Sequence, residues 1–238
     1  MSRPTVIVAH ERPAVRQIVG RVLAQEGFDP TPAADARAVL DLMTNQPWSA
    51  LVLDVALPGA PVFELCDRTI ALRSDTAGAQ CIVLVASVYR STSYKRRPTR
   101  LYGADDYIEI HHLGDALPAK LRRALGLDDT TSDMHLDAGE ALRVIGDGRM
   151  TEHGDAELAK LIVADVVLYN GDRLLGALDV ATAEKALAQD LDAARELFAN
   201  VTRGDAARRP RQAPPAADAI SHAFAELMAA LGRAQVTP

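Results

Sequence analysis

The sequence predicts an α/β fold: a doubly wound five-stranded parallel sheet over residues 1–126, followed by an α-helical C-terminal region. Short, wholly apolar runs such as Leu51–Leu53 and Cys81–Ala86 read as strands buried on both faces. Stretches with apolar residues at helical spacing lie between these runs, and strict alternation of the two implies parallel strands joined by helical crossovers. The run at Leu51 leads straight into Asp54 and the loop residues Pro58 and Gly59, so a carboxylate sits at a strand's carboxyl end. Open α/β sheets place their chemistry there.

Taken in order, Thr5–Ala9 is the first strand. Residues 14–26 follow as a helix with apolar positions 15, 18, 19, 22 and 23, opened by Pro13 and closed by Gly27. Residues 28–33 form a weak second strand, and 34–44 a second helix with Ala38, Val39 and Leu42 inward. After the Asp54 strand come a third helix at 61–73, the fourth strand Cys81–Ala86 and part of a fourth helix at 98–103. A fifth strand at 106–110 and a fifth helix at 117–125 complete the pattern.

Several residues recur here in a known order. His10-Glu11 follows the first strand, Asp54 ends the third, Ser87 follows the fourth, and Gly103-Ala104-Asp105-Asp106-Tyr107 leads into the fifth. In these motifs residues 1–126 resemble the receiver domain of bacterial two-component response regulators, the CheY-like fold. The resemblance implies that Asp54 is the phosphoacceptor, that Ser87 and Tyr107 are switch residues, and that Glu11 and Asp54 would hold Mg²⁺.

The departures from that pattern bear on chemistry. His10 stands where one member of the family's acidic pair belongs, and Mg²⁺ prefers oxygen ligands to imidazole. Ile110 occupies the place of the lysine that pairs with the phosphoryl group, and an aliphatic chain neither donates a hydrogen bond nor neutralises charge. Pro61 and Val62 replace the usual Asp-Gly. Mg²⁺ is thus the one cofactor implied, and its binding is expected to be weak. A second unusual feature is the cationic stretch Arg90, Lys95, Arg96, Arg97 and Arg100, interleaved with Tyr94 and Tyr102. In receivers the neighbouring face meets partners, and Arg and aromatic residues favour interfaces, so a protein partner with an acidic surface is expected. His111 and His112 leave the fifth strand side by side, an arrangement that need not converge on a metal.

In the second half, residues 127–150 read as an Asp- and Gly-rich linker with a short apolar stretch at 141–145. Residues 151–203 read as a helical domain of two helices, 155–170 and 180–201, the second with a near-heptad stripe from Val180 through Leu187, Leu191, Ala194, Phe198 and Val201. The first is apolar over more of its circumference than one stripe, which suggests a homodimer or a closed hairpin. Residues 204–217 form a Pro- and Arg-rich flexible linker, and 218–238 a terminal amphipathic helix and tail with Ile220, Phe224, Leu227, Met228 and Leu231 aligned.

Composition narrows the function. The net charge of −6 and the 16 acidic against 6 basic residues in 127–198 repel phosphates, so nucleic acid is disfavoured as a partner. Two cysteines exclude a disulfide framework, and with no signal-peptide core or membrane span the expected location is the cytoplasm. No phosphate loop, zinc spacing or nucleophile elbow appears, so no enzymatic activity is expected. The expectation is an atypical, degenerate receiver serving as a signalling interaction module or scaffold with little or no aspartyl phosphorylation. The alternative is a working phosphorelay regulator, phosphorylated on Asp54, that switches the helical output. A DNA-binding regulator ranks below both.

Overall fold

The computed structural model describes residues 3–73, 80–86, 98, 101–127, 135, 137–142, 144, 154–174, 179–204 and 216–236. It divides into two units, each treated separately below: Met1–Ser87 with Leu101–Gly146, and a C-terminal unit that includes Asp147–Pro238.

The first unit is the expected parallel sheet. Its strands are β1 (Thr5–Ala9), β2 (Asp29–Ala33), β3 (Ala50–Asp54), β4 (Cys81–Ala86) and β5 (Asp106–Glu109), in the order β2-β1-β3-β4-β5. Every pairing is parallel. All residues of β3 and β4 are buried, as their unbroken apolar runs require. The first unit's helices are α1 (Pro13–Gln25), α2 (Ala36–Asn45), α3 (Val62–Ala71), α4 (Leu117–Ala124) and α5, residues 137–142. Of the fourth expected helix, residues 101–103 form a turn that runs into β5, and the remainder lies outside the described residues apart from Pro98.

Local chemistry explains the boundaries. Pro13 opens α1, and Gly27 at φ +85° closes it. There the Gly27 N–H reaches Ala24 O and the Phe28 N–H reaches Leu23 O, the paired bonds of a left-handed helix end. Asp35 caps α2 by accepting the Ala38 N–H at 2.8 Å. Edge strand β2 carries Pro30 and Pro32. Asp29 donates inward to Pro4 O and Ala33 accepts inward from His10, so the alternate positions 30 and 32 face outward. Proline there leaves the sheet edge without donors for a foreign strand.

Within the expected linker at 127–150, the described residues 135 and 137–142 pack on the first unit. Leu142 is fully buried in the same core cluster as Val15, Val19, Leu23, Phe28, Leu113, Leu117 and Leu121. His135 Nε2 lies 2.9 Å from Glu26 Oε1, and the Gly139 N–H bonds to His135 O. Among the described residues, Leu142 and the His135–Glu26 pair dock this stretch on the first unit. Its Asp- and Gly-rich composition concealed both.

The second unit contains α6 (Asp155–Tyr169), α7 (Gly171–Leu174), α8 (Val180–Ala186), α9 (Ala188–Gly204) and α10 (Ala216–Val236). Between Leu158 and Leu168 only Lys160 of α6 escapes burial, because α9 and α10 pack on it and on each other. The terminal helix therefore completes a three-helix core, and among the described residues no hairpin of two helices stands alone. Residues 205–215 of the expected flexible linker lie outside the described residues. The single helix expected over 180–201 is interrupted at Leu187. Arg173 supplies the reason: its guanidinium donates to Ala186 O while also meeting Asp190 Oδ2 at 2.6 Å and Asn170 Oδ1 at 3.2 Å. A cation drawn to that carbonyl competes with the helical donor that would otherwise take it. Among the described residues no helix is long and apolar enough to cross a membrane.

Candidate functional site

The carboxyl ends of β1 and β3 are neighbours, with Ala9 in register with Leu53. The next residue on each strand is the one of chemical interest, His10 and Asp54. Both are buried, His10 to 2% exposure and Asp54 to 0%. Their side chains meet, with His10 Nε2 at 3.7 Å from Asp54 Oδ2. Asp54 Oδ1 accepts the Ala56 N–H at 3.3 Å, and the Leu57 N–H bonds to Asp54 O, so the turn after β3 wraps the carboxylate.

The backbone sets the tautomer of His10. Its Nδ1 accepts the Arg12 N–H at 3.1 Å, so the neutral ring carries its proton on Nε2, the nitrogen facing Asp54. In that tautomer His10 presents its Nε2–H towards Asp54. The His10-Glu11 loop is held from behind by Arg16, whose Nη1 donates to His10 O and, at 2.7 Å, to Glu11 O. Spacing gave no signal for this role of Arg16.

The loop beyond Asp54 is pinned to α2 by a bond from the Ala36 N–H to Pro58 O at 2.9 Å. Gly59 sits at φ +101°, where a Cβ would lie 3.3 Å from that of Ala36, so glycine suits both the turn and the contact. Pro61 precedes the first residue of α3 and Val62 is buried.

Ile110, the lysine position of the resemblance, is 1% exposed and belongs to the hydrophobic core. It begins the 3₁₀ turn Ile110–His112, and β5 accordingly ends one residue earlier than expected. On that turn the rings of His111 and His112 are 4.1 Å apart, closer than a strand exit would bring them. They serve different acids: His111 Nε2 is 3.3 Å from Glu109 and His112 Nδ1 is 3.2 Å from Asp115.

Tyr107 is half-buried on β5 opposite Leu84. Tyr102, expected on the partner face, adopts φ +49° and sets its ring 5.9 Å from that of Phe63 on α3. The adjoining Gly-Ala-Asp motif is structural. Gly103 has φ +82°, and a Cβ there would collide with Ile70 Cδ1 at 2.3 Å. Asp105 accepts the Ile82 N–H at 2.7 Å and pairs with Arg73, anchoring the start of β4. Ser87, Arg90, Tyr94, Lys95, Arg96, Arg97 and Arg100 lie outside the described residues.

The pocket fits Mg²⁺ poorly. Imidazole occupies one side of Asp54, and among the described residues no three His, Cys, Asp or Glu side chains cluster to hold a metal ion. Glu11 is half-buried beside the pair without forming such a cluster.

No family model matches the chain. Over 117 residues it is 32% identical to the transcriptional regulatory protein TcrA of Mycobacterium tuberculosis, covering 49% of this chain and 44% of that protein. It is also 32% identical over 120 residues to the response regulator MprA of Mycolicibacterium vanbaalenii, covering 50% and 49%. A putative response regulator of the NtrX-like type from Rickettsia bellii is 25% identical over 168 residues, covering 67% of this chain and 33% of that one. The chain thus spans less than half the length of these relatives. Among solved structures, the response regulator TrrA of Thermotoga maritima in complex with Mg²⁺ and BeF covers 52% of this chain and 100% of its own, at 21% identity and TM-score 0.41. Full-length FixJ of B. japonicum covers 100% of both chains, at 19% identity and TM-score 0.37. In its strand order, in the buried aspartate that ends β3 and in its sequence similarity to the curated response regulators, the N-terminal unit of this chain matches a response-regulator receiver domain.

Proposed function

We propose that this receiver works as a protein-interaction module in signalling, with little or no phosphorylation of Asp54. The observation that carries the reading is the contact of the His10 ring with Asp54 at 3.7 Å. Phosphoryl transfer to an aspartate builds negative charge on a buried carboxylate, and catalysis depends on cations arranged around it. Here imidazole takes the side where a second carboxylate would recruit Mg²⁺, and the lysine position is Ile110, committed to the core. Any Mg²⁺ that enters would rely on Glu11 and Asp54 and bind weakly. The cationic stretch from Arg90 to Arg100 supplies the surface for a partner rich in Asp and Glu, with the helical unit as the second docking element.

A second reading keeps the chain in a phosphorelay, with Asp54 phosphorylated and the helical unit switched through Ser87 and Tyr107. It is favoured by the placement of Asp54 at the carboxyl end of β3 with an Ala56 N–H directed at its carboxylate. Transcriptional control draws on relatives whose similarity extends over about half of this chain, 49% for TcrA and 50% for MprA. It ranks third.

Incubation of the full chain with acetyl phosphate and Mg²⁺, followed by intact-mass measurement, separates the first two readings. The expected result is no stoichiometric phosphoryl adduct. One adduct per chain that disappears in Asp54→Ala would overturn the interaction-module reading.

A further inference from the structure

We propose that the groove between α1 and the edge strand β2 binds a small carboxylate with a compact apolar body, an aromatic or branched aliphatic acid. The proposal stands whether or not Asp54 accepts a phosphoryl group. The groove is a cavity of about 260 Å³ within the first unit, walled by Val8, Pro13, Pro30 and Pro32. Arg16, Gln17 and Gly20 complete its lining. Pro13, Arg16, Gln17 and Gly20 recur at helical spacing and so share one face of α1. A mostly apolar concavity with a few convergent polar groups is the usual form of a small-molecule site. Gly20 keeps the space open. A Cβ there would meet Pro30 at 3.8 Å, an ordinary contact, and its φ is not in the left-handed region. Glycine inside a helix is destabilising, and here neither packing nor backbone geometry requires it. An unfilled groove is what its presence provides.

Charge selects the occupant. Arg16 Nη1 donates to His10 O and Glu11 O, which fixes the guanidinium at the groove. A guanidinium carries five N–H donors, and among the described residues no carboxylate pairs with this one. The elements that form the groove, β1, α1 and β2, hold one acidic residue, Asp29, which does not line it, against Arg16 and Arg21 on α1. A carboxylate on Arg16 and an apolar body against the prolines complement both parts of the lining. An extended peptide is a poorer fit. Added to the edge of β2 it would need outward main-chain donors, and Pro30 and Pro32 at the outward positions supply none. The volume likewise suits a small ligand. Because Arg16 also holds the His10-Glu11 loop, a carboxylate bound there is coupled through one side chain to the candidate site.

Titration of the isotope-labelled full chain with benzoate, followed by amide NMR shifts, tests the site. The expected result is saturable shifts clustered at Val8, Gln17, Gly20 and Thr31, with a Kd of about 1 mM or tighter. Benzyl alcohol, a similar body without the charge, should bind at least about tenfold more weakly. Acetate, the charge without the body, should also bind at least about tenfold more weakly. Gly20→Leu should fill the groove and weaken benzoate about tenfold or more, while a better helix former keeps α1 intact. Arg16→Gln should weaken it about tenfold through loss of the charged hydrogen bonds. The two variants act on different parts of the site, so either decides where the other disturbs the fold. Absence of saturable shifts at the groove would overturn the proposal, as would unchanged benzoate affinity in a folded Gly20→Leu chain. Acetate binding as tightly as benzoate would reduce the site to a surface cation. A capped acidic, proline-containing peptide that shifts these amides when benzoate does not would make the groove a peptide-docking surface and equally overturn the proposal.

Discussion

At the scale of single residues, the pocket is governed by where the backbone places two side chains. His10 and Asp54 stand 44 positions apart in sequence and become neighbours because β1 and β3 are adjacent and in register. That both sit at strand ends was legible from the apolar runs before them. The tautomer of His10 was not, since it depends on the Arg12 N–H. Burial acts on the thiols as well. The Cys66 thiol is pushed up from 9.0 to about 12, chiefly by burial and then by Asp67. Cys81 is raised to about 12, again by burial first and then by Asp105. A thiol whose folded pKa lies above its unfolded value leaves stability untouched below pH 9.0 and erodes it as pH rises from there towards about 12. Melting temperature should therefore fall as pH is raised from about 8 to 10, and iodoacetamide should label neither cysteine until the protein unfolds. Rapid labelling of the folded chain would contradict this burial.

At the scale of elements, the Gly-Ala-Asp motif shows a family signature with a mechanical explanation. Gly103 needs both a positive φ and the absence of a Cβ beside Ile70, whereas Gly126, at φ +65°, has nothing within 4 Å. Gly103→Ala should cost about 2–4 kcal/mol by adding overpacking to backbone strain. Gly126→Ala should cost about 1–2 kcal/mol from strain alone. Equal losses in thermal melts of the two variants would show that the contact with Ile70 relaxes freely. The strands and the first helices follow their periodicity to within two residues, because local preference and burial agree there. The break at Leu187 departs from the heptad-like stripe. Arg173, seventeen residues from its partner Asp190, acts on the helix across a turn, and periodicity carries no record of such a contact.

At the scale of the whole molecule, the second unit answers the question its composition raises. The sequence shows more apolar surface on residues 155–201 than a two-helix hairpin covers, which suggested a dimer. In the structure α10 meets that surface, with Ile220 and Phe224 fully buried. The apolar ground for dimerisation is thereby met within one chain. Light scattering at tens of micromolar should report a monomer, and Phe224→Ala should lower the stability of the helical unit by about 3–5 kcal/mol without changing the mass of the folded chain. A dimer that Phe224→Ala dissociates would show that α10 also serves a second copy.

The amino-acid sequence alone determined the class of fold, the strand that carries Asp54, the departures at His10 and Ile110, and the number of long apolar helix faces. These are properties of local pattern, where the period of apolar residues and the chemistry of turn residues act within one element. Only the tertiary structure decided which surfaces those faces meet. It set His10 against Asp54, turned Ile110 into the core, docked Leu142 where a linker was expected, and closed the helical unit with its last helix. Each outcome rests on residues distant in the chain, whose contacts are won by burial and charge pairing that no short stretch of sequence encodes.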